Sequence, residues 1–388
     1  MIIIQTYTER KTGDTGTIDK ASFWKGAAVE RDIIKLKADL LCLGARVEKE
    51  TAKLLEAEYP RFFDKGFIHA VNVHTTEANI NISVAEEFSG GSPYLILKRG
   101  GEYRITGNGW DEPITFYENL PHTGTVLDDL ARLHSPTCIN IWPSTICCYD
   151  TPELKCRFCS LKADAEKPID TTELSEALRI LLAKVPKEYI LNFSGGTYHD
   201  PDWMVRYWID LARKIRAFSD VSITVEFAPP SDLGLLREMK EAGVNVTIMN
   251  LEIADSGLRK EICPGKSHIT YEHYHAAFRE AVKLFGWGMV SSVLIAGIQP
   301  KEDIMKECAV MAAEGVFPTI MPFRPMDDCV YYGLERCKPE ELAEMAEYLG
   351  GLLHKYLLDY RKQPGCTECG GCSLENDCYR RREQEAGK

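Results

Sequence analysis

The residues best equipped for chemistry in this chain are its cysteines. Fourteen occur in 388 residues, and eight of them fall into two groups: Cys147, Cys148, Cys156 and Cys159 in "CCYDTPELKCRFC", and Cys366, Cys369, Cys372 and Cys378 in "CTECGGCSLENDC". Thiols at such spacing serve metal ligation or catalysis in a reducing compartment and a disulfide framework in a secreted protein. The N-terminus, MIIIQTYTERKTGD, lacks the basic flank and small-residue cleavage site of a signal peptide, and no apolar window approaches the ~18 residues that span a bilayer. The expectation is a cytoplasmic, reduced protein without membrane contact, in which metal ligation is the leading use of the thiols.

The first group reads Cys148-x7-Cys156-x2-Cys159, or one residue longer if Cys147 is the first ligand. Structural zinc wants four protein ligands, so this set needs Cys147 or a distant His to complete it. Three thiolates on an iron–sulfur cluster instead leave one iron open to a small-molecule ligand. In the second group, Cys366-x2-Cys369-x2-Cys372-x5-Cys378 supplies four thiolates, enough to close a second 4Fe-4S cluster with ferredoxin-like spacing or a zinc site. Cys337, just upstream, could exchange in as a ligand.

The elements that must position these thiols can be read from periodicity. After Thr137 short β-rich runs alternate with amphipathic helical stretches: strands at 138–142, 189–194, 221–227, 244–251, 289–297 and 316–323, helices at 171–185, 203–218 and 231–243. Asp200-Pro201 is an N-cap followed by proline at the first helical position, and Gly243 closes the helix that Ser231 and Asp232 open. Six βα units give an open doubly wound sheet or a partial barrel, with functional residues at the carboxyl ends of the strands in both. The first thiol group follows the first strand directly. Residues 1–133 read as a separate or packed-on α+β domain, with helices around 30–58, strands near 67–84 and a hairpin over 94–106 turning at Gly100-Gly101. Residues 339–362 read as a long helix leading into the cysteine-rich tail.

On these motifs the chain resembles the radical S-adenosylmethionine (radical SAM) superfamily, whose cluster motif Cys-x3-Cys-x-aromatic-Cys is matched in its second half by Cys156-Arg-Phe158-Cys159. The resemblance implies an α/β fold with a partial (β/α)6 TIM-like barrel over 134–335, an N-terminal α+β domain over 1–133, and a short cysteine-rich extension within 336–388. It implies that Cys148, Cys156 and Cys159 hold a catalytic 4Fe-4S cluster, with Phe158 beside it. Ser194-Gly195-Gly196-Thr197 is similar to the Gly-Gly-Glu motif that binds the methionyl amino group, with Thr197 in place of Glu. Asn250-Leu-Glu252 looks like the ribose-binding Asn-Leu-Asp of biotin-synthase-like members, and Ile295, Gly297 and Ile298 match the turn beside the adenine. Lys266 is the candidate for the cofactor carboxylate, beside a surface role. The tail resembles SPASM or twitch extensions that carry an auxiliary cluster.

The implied cofactors are S-adenosylmethionine and two 4Fe-4S clusters; the implied partners are a small-molecule or peptide substrate and an electron donor such as flavodoxin or ferredoxin. A net charge of −12 with no Lys/Arg cluster argues against nucleic acid. Sulfur insertion, with the tail cluster as donor, is the alternative within the chemistry, and a zinc-stabilised non-redox binding scaffold the alternative outside it. No catalytic residue is singled out. Glu226, Arg324 and Asp327 stand near strand ends, where substrate orientation and structural ion pairs are equal readings. His69, His74, Asn79 and Asn81 alternate on N-terminal strands and carry no motif.

Overall fold

The computed structural model describes residues 32–59, 70–117, 119–144, 146–161, 168–198, 200–326 and 329–387; His69 and Asp327 lie outside them. Residues 33–388 form one compact unit. The N-terminal layer runs α1 (Ile33–Leu43), β1 (Arg46–Val47), α2 (Lys49–Glu58), β2 (Ala70–His74), β3 (Asn79–Ser83), α3 (Glu86–Ser89), β4 (Leu95–Arg99), β5 (Glu102–Gly107) and β6 (Trp110–Phe116). Its strands form a sheet ordered β1-β4-β5-β6-β2-β3. The hairpin at Gly100-Gly101 is present, both glycines at positive φ, where a side chain would be strained.

Next come α4 (Leu127–Leu130), β7 (Ala131–Leu133) and β8 (Cys138–Ile141), followed by α5 (Thr171–Leu182), β9 (Ile190–Phe193), α6 (Pro201–Arg216), β10 (Ser222–Glu226), α7 (Gly234–Glu241) and β11 (Val246–Ile248). The chain continues through α8 (Ser256–Ile262), α9 (Tyr271–Phe285), β12 (Val290–Ala296), α10 (Lys301–Ala313) and β13 (Val316–Pro322), then α11 (Pro339–Lys355), α12 (Cys366–Cys369) and α13 (Glu375–Ala386). Each predicted strand after Thr137 forms, with β11 trimmed to three residues. Asp170 and Asp200 cap α5 and α6 by accepting from backbone N–H groups, as their side chains suit. The helix expected over 339–362 stops at Lys355.

Strands β8 to β13 are parallel and pair in chain order, with β7 antiparallel beside β8. Sequential order without a reversal is that of a barrel wall, and it removes the doubly wound alternative, whose order switches direction. The ends of the sheet, β7 and β13, do not pair with each other, so the wall is open. Ile139, Ile141, Leu191, Phe193, Ile223 and Val225 pack outward against the helices, and the intervening Asn140, Asn192 and Thr224 face the other side.

The expected boundary near residue 133 is a change of sheet rather than a break in packing. α1 serves both cores: Leu36 and Leu40 belong to the N-terminal cluster, while Ile34, Ala38, Leu41 and Cys42 enter the barrel's. No helix among the described residues is long and apolar enough to cross a membrane.

Candidate active site

The loop after β8 is held in place by the turn after β9. Cys148 N–H donates to the Thr197 carbonyl at 2.7 Å, and a Cβ on Gly196 would lie 2.0 Å from the Ile146 carbonyl oxygen. One on Gly195 would lie 2.9 Å from that of Ser144. Glycine is required at both positions because the thiol loop itself passes over them, a closer constraint than the ligand contact expected from the motif. Further along the loop, Arg157 N–H donates to the Ile262 carbonyl and Gly265 N–H to that of Leu154, tying the thiols to the segment after α8.

That segment supplies a residue that spacing did not single out. Cys263 stands with Cys156 and Glu252 so that their ligand atoms all lie within 4.8 Å of one another, all three residues buried. A hydrogen bond from Cys263 holds the Cys156 thiol below its ordinary pKa and pushes that of Cys263 up. Burial pushes Cys159 up to about 11. Around them pack Ile253, Ile262, Leu258, Ile298, Tyr331 and Phe158, an apolar seat in which Cys156 is buried and Cys159 half-buried. Cys148 lies on the other flank of the loop, its thiol 3.4 Å from the Tyr198 carbonyl, and burial raises it to about 11. Cys147 packs against Gly196.

The polar residues expected to hold a cofactor converge beside this seat. Lys266 Nζ reaches Glu252 Oε1 at 2.7 Å; burial works against its charge, but Glu252 and Cys156 outweigh it and hold its pKa well above the ordinary value. Lys266 is therefore a half-buried partner of Glu252 rather than a fully solvated surface lysine. Asn250 donates to Glu226 Oε1 at 2.6 Å and accepts from Val293 N–H at 3.0 Å. Burial pushes the Glu226 carboxyl up to about 7 against the pull of Lys266. Glu252 itself sits at φ 69, the left-handed region that a non-glycine residue adopts only when its surroundings impose it. Its backbone is gripped on both sides: its N–H donates to Val293 O at 2.8 Å and its carbonyl accepts from Ile295 N–H at 3.0 Å.

Gly195, Gly196, Thr197, Glu226, Asn250 and Lys266 line one cavity, with Phe227 and Tyr274 as its apolar wall. Phe158, Ile295 and Ile298 meet in an adjoining apolar cluster with Phe323 and Cys329. Gly297 does not face that cluster. Its φ is +95 and a Cβ there would lie 2.9 Å from Cys337 Cβ, so the close approach that demands glycine is to Cys337. Cys337 also pairs with the Cys42 thiol of α1.

The tail thiols separate. Cys366, Cys369 and Cys372 are half-buried within electrostatic reach of one another, but Cys378 is buried facing α11, where a Cβ on Gly350 would lie 3.0 Å from its own. On helix α13 the turn from Asp377 to Cys378 swings the thiol away from its expected companions. Arg324 donates to Asn81 Oδ1 at 2.7 Å and to the Asn81 carbonyl at 2.9 Å, a structural bond to β3 that takes it out of the substrate-orienting set.

No family model matches the chain. A curated relative, bacteriochlorophyllide c C-7(1)-hydroxylase of Chlorobaculum limnaeum, is 28% identical over 181 residues, 44% of this chain and 45% of that protein. The chain thus matches under half the length of that relative. Among solved structures, methylornithine synthase is 18% identical over 57% of this chain and 63% of its own, with a TM-score of 0.45. A radical SAM methyltransferase from Sphaerobacter thermophilus is 12% identical over 67% and 75%, with a TM-score of 0.43. At that level of likeness the chain's own residues carry more weight than its neighbours.

Proposed function

We propose that the chain is a radical SAM enzyme that reductively cleaves S-adenosylmethionine at a 4Fe-4S cluster and abstracts hydrogen from a small-molecule or peptide substrate. The observation that carries the reading is the adjacency of two features built from separate strand ends: an apolar thiol seat at Cys156 and Cys159, and a small cavity lined by Gly195, Gly196, Thr197, Glu226, Asn250 and Lys266. The donor set has the chemistry the cluster needs. Three thiolates, Cys148, Cys156 and Cys159, would hold it with one iron left for the cofactor, in an apolar wall suited to a low-potential centre.

The cluster would supply one electron to the sulfonium, giving methionine and a 5′-deoxyadenosyl radical. The chain's own residues bind and exclude. Lys266 would meet the methionyl carboxylate from a wall it shares with the Gly195-Gly196-Thr197 backbone, Asn250 and Glu252 would hold the ribose, and Phe158, Ile295 and Ile298 form an apolar surface for the base. Holding these groups in place before the cofactor arrives is what makes the step effectively unimolecular. The biotin-synthase-like branch is supported by Asn250, Glu252 and the turn at 295–298 meeting at neighbouring strand ends. Partial likeness to a hydroxylase supports reaction at carbon. The electron would come from a flavodoxin or ferredoxin.

A second reading has one observation in its favour: Cys156, Glu252 and Cys263 stand at the spacing of a single metal ion, as zinc would require. Anaerobic metal analysis with a cleavage assay separates the two. The expected result is a brown, iron-loaded protein that releases 5′-deoxyadenosine from S-adenosylmethionine with reductant; colourless zinc-loaded protein without cleavage removes the radical reading.

A further inference from the structure

We propose that the tail thiols form a second iron–sulfur site whose fourth ligand is Cys138 of the first barrel strand, so that Cys138, Cys366, Cys369 and Cys372 bind the cluster and Cys378 does not. The assignment goes beyond the cofactor-cleaving site and does not depend on it.

Cys138 opens β8 at the end opposite the first thiol loop, and it shares a strand face with Asn140. That face is where the tail enters. Asn192 donates to Asn140 Oδ1 at 2.9 Å, and a Cβ on Gly365, the residue before Cys366, would lie 3.2 Å from Asn192 Oδ1 and 2.7 Å from Thr224 Oγ1. Thr224 Oγ1 also donates to the Pro364 carbonyl at 2.7 Å. The approach to Cys138 is fixed from its other side as well. The Cys369 thiol hydrogen-bonds the His134 carbonyl at 3.4 Å, and His134 N–H donates to the carbonyl of Cys138 at 2.8 Å. Cys138 lies within electrostatic reach of Cys369 and Cys372, and Cys366 within reach of all three.

The surroundings suit an anion. Arg324 is half-buried, and among the described residues its hydrogen-bond partners are neutral oxygens of Asn81 and Leu41. A half-buried guanidinium bonded only to neutral oxygens favours an anion nearby, and a four-thiolate cluster supplies one. Lys37, itself 1% exposed, donates to the Gly370 carbonyl and to Asp377 Oδ2, both at 2.7 Å, fixing the loop between Cys369 and Cys372. The spacing argues against one zinc ion. Two sulfurs bound at about 2.3 Å to the same zinc are at most about 4.6 Å apart. Among the described residues no three of these thiols gather within 4.8 Å, whereas a cluster spreads its thiolates over separate irons.

The test removes the first site and counts what is left. Cys156→Ala/Cys159→Ala protein, reconstituted anaerobically with iron and sulfide, should keep about four irons per chain with a cluster Mössbauer signature. Adding Cys138→Ser should abolish or alter that signature, and adding Cys378→Ser should leave it unchanged, with circular dichroism reporting the fold of each. An unchanged signature in the Cys138 variant, its loss in a folded Cys378 variant, or zinc in place of iron overturns the assignment. Iron-edge anomalous diffraction of the loaded wild-type chain needs no substitution: a peak enclosed by Cys138, Cys366, Cys369 and Cys372 is expected, and a peak beside Cys378 overturns it. Wild-type protein that keeps this cluster but makes no 5′-deoxyadenosine defeats the reading of the first site alone.

Discussion

The two thiol regions differ in what surrounds them. The first, on the loop after β8, borders a cavity with an opposed Lys266–Glu252 pair and a strained Glu252 backbone. The second is strapped down on every side, by Lys37 to Asp377 and Gly370, by Asn79 to the Cys369 carbonyl, and by Asn81 to that of Gly371. A site that must admit a ligand keeps polar groups aimed into a space; one that only holds or relays charge can be sealed. On the proposed function, reaction belongs to the first region, and closure or electron relay to the second.

The largest expected effect breaks the first region. Cys156→Ala/Cys159→Ala should abolish 5′-deoxyadenosine formation and halve the iron from about eight to about four per chain. Persistent cleavage in that variant would reassign the reacting site. Next, Lys37→Met should remove one partner of a buried ion pair and cost about 3–5 kcal/mol, read as a lower denaturation midpoint and faster proteolysis after Lys362. A midpoint within about 1 kcal/mol of wild type would mean that the strap is not what seals the tail.

Gly196→Ala sharpens the comparison, because its new methyl would displace the thiol loop at Ile146 without touching the tail. Cleavage should fall by about 100-fold with tail iron unchanged. Loss of both sites together would show that they are not independent.

The smallest effect lies outside both regions. His275 Nδ1 reaches Glu314 at 2.7 Å and Nε2 reaches Glu307 at 3.0 Å. Burial opposes its charge, but these carboxylates raise its pKa from 6.5 to about 9. Because the folded value is the higher one, its stabilisation is full below 6.5 and is lost as pH rises through about 9. Denaturant midpoints should therefore decline over that window by about 1–3 kcal/mol, and the decline should be absent in His275→Gln.

Most of the barrel was legible because parallel strands and amphipathic helices write different periods into the sequence. Strand order was not legible, since pairing depends on contacts between distant residues. The grouping of Cys156, Phe158 and Cys159 was legible because they are close in sequence. Cys263 and Cys138 could not be found this way: each meets its partners only after the chain has folded, one through the loop after α8 and the other through the tail's return to β8. Cys378 misled for the converse reason. Sequence spacing takes no account of helical rotation, and α13 turns its thiol toward Gly350. Lys266 looked as suited to solvent as to a site until Glu252 was found 2.7 Å away.

The most direct test of the central claim is anaerobic incubation of reconstituted wild-type protein with S-adenosylmethionine and dithionite, followed by mass spectrometry. The account predicts that 5′-deoxyadenosine and methionine form in equal amounts, and that neither forms with the Cys156→Ala/Cys159→Ala protein. Iron-loaded, folded wild-type protein that leaves S-adenosylmethionine intact would contradict it.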